Sequence, residues 1–172
     1  MKKKLFREYK SIQPQENHWK KKKKNAGYTH VHPGEKYPDN EHPTEYFFTW
    51  EHGRKLNEYQ IILITHGNGK FEAESTRLMD VKSGSLILVY KEEWHRYRPL
   101  KETGWQEYWV GFDGKYARQI IRNSMFTKKN PVIHFGDNEM ISNLFIEIFD
   151  WLENQVLGHE KVVASYVPLI LA

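Results

Sequence analysis

Apolar residues recur along this chain in two periods, and the change from one to the other divides it. Between Tyr46 and Phe112 they follow the period of two that places alternate residues on one face of a strand, with glycine, proline and asparagine between the runs. Tyr46–Glu51 alternates and predicts a strand. Tyr59–Thr65 is almost continuously apolar, which predicts a longer strand buried on both faces. His66-Gly67-Asn68-Gly69 reads as a hairpin turn, with Phe71–Thr76 as the return strand and Arg77–Lys82 as another short one. Ser83-Gly84 then turns into Leu86–Tyr90. Upstream, Trp19–Val31 reads as strand-turn-strand around Asn25-Ala26-Gly27, after an N-terminal arm over Met1–Gln15. His32–Thr44 is a loop carrying Pro33-Gly34, Pro38-Asp39-Asn40 and Pro43. After Gly114 the spacing becomes helical. Tyr116, Ala117, Ile120 and Ile121 mark a helix over Lys115–Ser124. Asp137 is placed as an N-cap before the stripe Met140, Ile141, Leu144, Phe145, Ile148, Phe149, Leu152 and Val156, with Gly158 as its C′ residue. A further apolar segment runs from Glu160 to Ala172, and Pro168 is expected to kink it.

The stretch Gly84–Gly114, GSLILVYKEEWHRYRPLKETGWQEYWVGFDG, carries most of the candidate chemistry. Alternation over its last strand puts Trp105, Glu107, Trp109 and Gly111 on one face and Gln106, Tyr108, Val110 and Phe112 on the other. Two indoles and a carboxylate on one face suit a pocket that stacks a ring and hydrogen-bonds its hydroxyls.

This run resembles the end of the sensor domain in AraC/XylS-type transcriptional regulators. The resemblance extends back through Tyr37-Pro38, His42-Pro43, Tyr46, Phe48, Trp50, Gly53-Arg54-Lys55-Leu56, Glu58-Tyr59-Gln60 and Gly67-Asn68-Gly69-Lys70-Phe71-Glu72, covering Tyr28–Ile121. It implies a mainly β fold with C-terminal α-helices: a cupin-like (jelly-roll) β-barrel followed by a helical dimerisation segment. The organisation expected is a basic arm and first strand over 1–27, a ligand-binding barrel over 28–114, and helices over 115–172 for capping and for a homodimer. The uncapped apolar end reads as a truncation ahead of a helix-turn-helix domain, through which alone DNA would be bound. In the sugar-responsive members the pocket positions correspond to Arg54, Tyr97, Glu107 and Trp109, and the N-terminal arm contributes to closing the pocket. Trp105 is open between pocket and core, and His95 between ligand contact and hydrogen-bonded strand end. The effector implied is a saccharide or related polar molecule.

Charge and composition narrow the alternatives. Residues 1–24 hold ten Lys/Arg against two acids, whereas the rest holds 16 against 20, so the body is mildly acidic and a poor nucleic-acid surface. Lys20–Lys24 fit either a phosphate-contacting arm or an exposed edge strand. The basic N-terminus has no apolar run of the secretory kind, and no segment has the ~20 apolar residues of a membrane span, which points to the cytoplasm and away from a membrane. With no cysteine there is neither a thiolate metal site nor a cysteine nucleophile.

Metal separates a sensor from a cupin enzyme. At the later motif of metal-dependent cupins, Gly84 and His95 match, but Tyr90, Glu92 and Pro99 replace the other positions. At the earlier one Gln60 stands for the glutamate, and Arg54 and Leu56, or Gly53 and Lys55, for the histidines. One imidazole, an arginine and a neutral amide do not make a three-ligand centre. His30 and His32, with Glu35 and His42, form a second cluster whose spacing departs from the pattern. No metal or cofactor is expected. Glu72 and Glu107 remain a conceivable acid/base pair, and no nucleophile elbow or phosphate loop is present. Three functions therefore compete: a sugar sensor without chemistry, a cupin-type sugar isomerase or epimerase, and a dimerisation module with a degenerate pocket.

Overall fold

The computed structural model describes residues 26–38, 47–154 and 157–172. Seven antiparallel strands precede or interleave three helices: β1 (Ala26–Val31), β2 (Tyr59–Ala73), β3 (Met79–Lys82), β4 (Ser85–Val89), β5 (His95–Pro99), β6 (Trp105–Phe112), α1 (Lys115–Asn123), β7 (Val132–His134), α2 (Glu139–Asn154) and α3 (His159–Leu171). The architecture is a cupin-like jelly-roll barrel with C-terminal helices. Strand β2 organises it. Its first half pairs with β4 and β6 in a sheet of order β1-β6-β2-β4-β7, and its second half pairs with β3 and β5.

The expected hairpin at His66–Gly69 is therefore absent. Those residues lie inside a single 15-residue strand, and the glycines fall where it passes from one sheet to the other. A register shift between Ile64 and His66 marks the transition, as a bulge does when it bends a strand and increases its twist. The strand expected over Tyr46–Glu51 is also absent: Phe47–Thr49 have no regular structure, and a turn follows at Trp50. Alternation there reflects inward packing of Phe48 without a ladder partner. Strand β7 is an element the reading of the sequence lacked, three residues long and paired with β4. The arm, the Trp19–Asn25 half of the strand-turn-strand, His42 and Val156 lie outside the described residues, while Ala26 and Gly27 belong to β1, not to a turn.

Two cores share the larger sheet. Ile61, Leu63, Leu86, Leu88, Val110 and Phe112 face the helices, where Ala117, Ile121, Phe145, Ile148, Leu152, Val163 and Val167 meet them. Ile62, Ile64, Ile87, Val89, Trp105 and Trp109 face the barrel interior with Phe71, Val81 and Tyr97 of the second sheet. Covering both faces explains the unbroken apolar run in the first half of β2. Asn138 caps α2, its side-chain oxygen accepting from the N–H groups of Met140 (3.0 Å) and Ile141 (3.4 Å). Asp137, expected in that role, instead accepts from the Ser83 hydroxyl at 3.3 Å. Gly158 takes the left-handed conformation at φ 86° and leads directly into α3, and Pro168 lies within that helix.

The helix–barrel core predicts a sharp contrast within α2. Phe145→Ala, at a fully buried position, is expected to lower unfolding free energy by about 3–5 kcal/mol. Met140→Ala, at a position 78% exposed, should change it by no more than about 0.5 kcal/mol, both read by urea denaturation.

Candidate functional site

The barrel interior gathers polar side chains that an apolar core does not accept without partners. Strand β6 supplies Trp105, Glu107 and Trp109 on its inward face, all nearly inaccessible, as its alternation predicts. Strand β5 supplies His95 and Tyr97 on the opposite wall, leaving Arg96 and Arg98 outside. Arg54 comes from a loop, but a two-way backbone bridge fixes it to β5: its N–H donates to the His95 carbonyl (2.9 Å) and its carbonyl accepts from the His95 N–H (3.0 Å). All six residues expected from the sequence are thus brought to one interior. Tyr37 and Phe48 join them from loops, and Thr29 and Gln60 add buried polar groups from β1 and β2.

Two glycines make room for the two indoles. Gly27 on β1 lies opposite Trp109 in register, and a Cβ there would collide with the six-membered ring of Trp109. A Cβ on Gly69 would meet Cζ3 of Trp105 at 2.5 Å and the Arg98 carbonyl at the same distance. Each ring therefore lies against bare backbone.

The polar groups form a chain across the barrel. The Nδ1 atom of His95 is 3.0 Å from the Glu93 carbonyl, which only accepts, so Nδ1 carries the proton and Nε2 is free to accept from Nε of Arg54 at 3.3 Å. Burial first, and the Arg54 guanidinium second, push the His95 pKa down to about 3, so the imidazole is neutral. Nη2 of Arg54 donates to the Tyr97 hydroxyl at 2.6 Å. The Tyr97 and Tyr37 phenols are neighbours, their rings 6.1 Å apart, and they interact electrostatically. The Tyr37 hydroxyl in turn donates to Glu107, at 3.0 Å from Oε1 and 3.2 Å from Oε2. Burial and the Glu107 carboxylate hold the Tyr37 phenol well above its ordinary pKa, and burial takes Tyr97 to about 12, so both phenols stay protonated. A cationic pole and an anionic pole are joined by two phenols, within aromatic walls. Tyr37 stands edge-on to Trp105 (centroids 5.7 Å apart), and Phe48 packs on Tyr97 at 5.3 Å.

The structure separates the carboxylates considered as an acid/base pair. Glu72 points outward from β2 and accepts from Nε (2.7 Å) and Nη2 (2.6 Å) of Arg96, whereas Glu107 faces the interior. The period of two allowed either side for each, and only the register decides. The rings of His30 and His32 are 4.1 Å apart, but Glu35 is used by the turn, accepting from the His32 N–H at 2.8 Å. Among the described residues no three His, Asp or Glu side chains are grouped to hold a metal ion. A surface cleft of about 220 Å³ lies elsewhere, between the bulge of β2 and the start of α2, lined by Thr65, His66, Ser83 and Phe135 among others. It contains no buried charge, so the barrel interior is the stronger candidate.

The family of AraC-like ligand binding domains matches residues 32–164. The chain belongs to that family. No functionally curated protein matches it. Among solved structures it is similar to an RmlC-like cupin family protein with a double-stranded β-helix fold from Methanocaldococcus jannaschii, at 11% identity and TM-score 0.41 over 67% of this chain and 87% of that one. A Cupin 2 conserved barrel domain protein from Salinispora arenicola matches at 16% identity and TM-score 0.39, over 67% and 81%. A cupin-like protein from Thermotoga maritima matches at 12% and 0.38, over 51% of this chain and 56% of that one, so the chain spans little more than half of its length. Likenesses this distant carry no argument about what the AraC-like domain binds. No helix among its described residues is long and apolar enough to cross a membrane.

The neutral state of His95 gives a pH signature. Its folded pKa lies below the unfolded value near 6.5, so its contribution is full above that value and is lost as pH falls toward 3. Between pH 7 and pH 5 the wild type should lose about 2 kcal/mol more stability than His95→Gln, measured by urea denaturation at each pH.

Proposed function

We propose that this AraC-like domain is the effector-sensing part of a transcriptional regulator and takes a small hydroxylated ligand, with saccharides favoured, inside the barrel. The observation that carries this reading is the chain from half-buried Arg54 through Tyr97 and half-buried Tyr37 to buried Glu107, flanked by Trp105 and Trp109. A sugar ring places C–H groups on an aromatic face while its hydroxyls donate to a carboxylate and accept from a guanidinium. Arg54, Tyr97, Glu107 and Trp109 are the proposed contacts. His95 orients Arg54 through its neutral Nε2, and Trp105 forms the far wall.

The domain itself performs no reaction on this reading. Glu72 lies outside the barrel and Glu107 inside it, so these two do not form the acid/base pair that an isomerase or epimerase would use. Residues 28–114 are proposed as the ligand-binding part and 115–172 as the part that caps it and forms a homodimer. Exposed Met140 and Ile146 on α2 and Leu169 on α3 support that use of the helices. DNA would be contacted by a separate helix-turn-helix domain in the cytoplasm, and the effector would act by binding one arrangement of barrel and helices better than another.

A thermal-shift series with neutral mono- and disaccharides and uronic acids, with and without a chelator, tests this. A saturable rise with a neutral sugar, insensitive to chelator and without turnover, is expected. Glu107→Gln, which keeps the shape and removes the charge, should weaken that binding about 10- to 100-fold. Conversion of the sugar, or a fall in melting temperature on chelation alone, would contradict the sensor reading.

A further inference from the structure

Tyr37 differs from every other group in the interior polar chain. Arg54 is bridged to β5, and Tyr97 and Glu107 are strand residues in register, but Tyr37 arrives from the loop after β1. Its hydroxyl nevertheless donates to both oxygens of Glu107, at 3.0 and 3.2 Å. Its ring stands edge-on to Trp105 at 5.7 Å and to Phe48 at 6.1 Å, and lies 6.1 Å from Tyr97. A six-membered ring bearing a hydroxyl, placed among aromatic walls with the hydroxyl on a carboxylate, is what a bound hydroxylated ligand would present. Beside it, the Trp105 indole N–H is buried and has no acceptor among the described residues. A phenol in this place leaves that donor unused, and a ligand with several hydroxyls has oxygens to offer it.

We propose that Tyr37 is a resident occupant of the effector's place, which a ligand enters only by expelling the phenol and bringing its own donor to Glu107. This rests on the reading of the barrel interior as the ligand site. Two consequences follow from the chemistry. Every effector must carry a hydroxyl or ammonium donor, because a carboxylate set against Glu107 would leave two buried anions in contact. The apparent affinity of the wild type is also reduced by the fraction of molecules in which Tyr37 holds the place.

The test uses p-cresol, which reproduces the tyrosine side chain, and toluene, which lacks the hydroxyl, against the full chain as wild type, Tyr37→Ala and Tyr37→Phe. Binding is read by thermal shift and tryptophan fluorescence. Saturable binding of p-cresol to Tyr37→Ala, at least tenfold tighter than toluene and at least tenfold tighter than p-cresol to the wild type, is expected. Equal binding of the two probes, or no binding of p-cresol to a folded Tyr37→Ala, would overturn the proposal. If the alanine variant fails to fold, Tyr37→Phe decides. Without the anchoring hydroxyl its ring should yield to p-cresol at concentrations at least tenfold below those the wild type needs, and equal concentrations would overturn it. A neutral sugar that stabilises the wild type should bind Tyr37→Ala more tightly, whereas weaker binding would make Tyr37 a ligand contact and refute its role as occupant. Failure of every sugar on every variant, with the p-cresol result intact, would remove the saccharide sensor and leave the occupancy standing.

Discussion

A guanidinium and a carboxylate held inside a barrel must be compensated, and the way this chain does so governs the rest of the structure. Arg54 and Glu107 are bridged by two tyrosine hydroxyls, so each charge meets a hydrogen-bond partner in a space lined by rings. Arg54 donates to the Tyr97 hydroxyl and Tyr37 donates to Glu107, so each charged group is met by a phenol of the complementary role. Charged groups kept in a low-dielectric interior cost several kcal/mol each unless paired, and removing one partner costs more than the pair contributes. A barrel that retains them has its most expensive groups where a small molecule would meet them.

The sheet geometry serves that interior. By bending at the bulge near His66, β2 belongs to both sheets and brings β5, with His95 and Tyr97, to face β6, with Glu107 and the indoles. The helices contribute nothing directly to this face. They cover the opposite side of the larger sheet, where Phe145 and Ile148 seal Leu63 and Val110 from water. The same strands thus connect the barrel interior to the helical face through alternate residues, Ile62 and Ile64 on one side and Ile61 and Leu63 on the other. A ligand that moves the inner residues acts on a packed sheet whose outer residues hold the helices, a physical route for coupling.

The strand residues of the interior were legible in the sequence and the loop residues were not, for a reason visible in particular positions. Strict alternation in β6 placed Trp105, Glu107 and Trp109 together, and the helical stripe marked Phe145, Ile148 and Leu152 as buried. Those are local patterns. Tyr37 and Phe48 reach the interior from loops, so no period marks them, and only contacts some 70 residues apart in sequence, such as Tyr37 with Glu107, reveal the first. The glycines after His66 looked like a hairpin because hairpins and sheet-crossing bends both need small residues. The seats that Gly27 and Gly69 provide for the indoles depend on cross-strand register, which local spacing does not encode. The side on which Glu72 lies was left open for the same reason.

Membership of the AraC-like ligand binding family makes this a ligand-binding domain, and the polar chain is the proposed place of the ligand. The central claim is that the Arg54 and Glu107 charges are energetically joined through the two phenols. A double-mutant cycle with Arg54→Met and Glu107→Gln, measured by urea denaturation, tests it most directly. The account predicts a coupling of about 1–3 kcal/mol between the two positions. Additive effects, within about 0.3 kcal/mol, would mean that the charges are independent and that the chain does not exist as described.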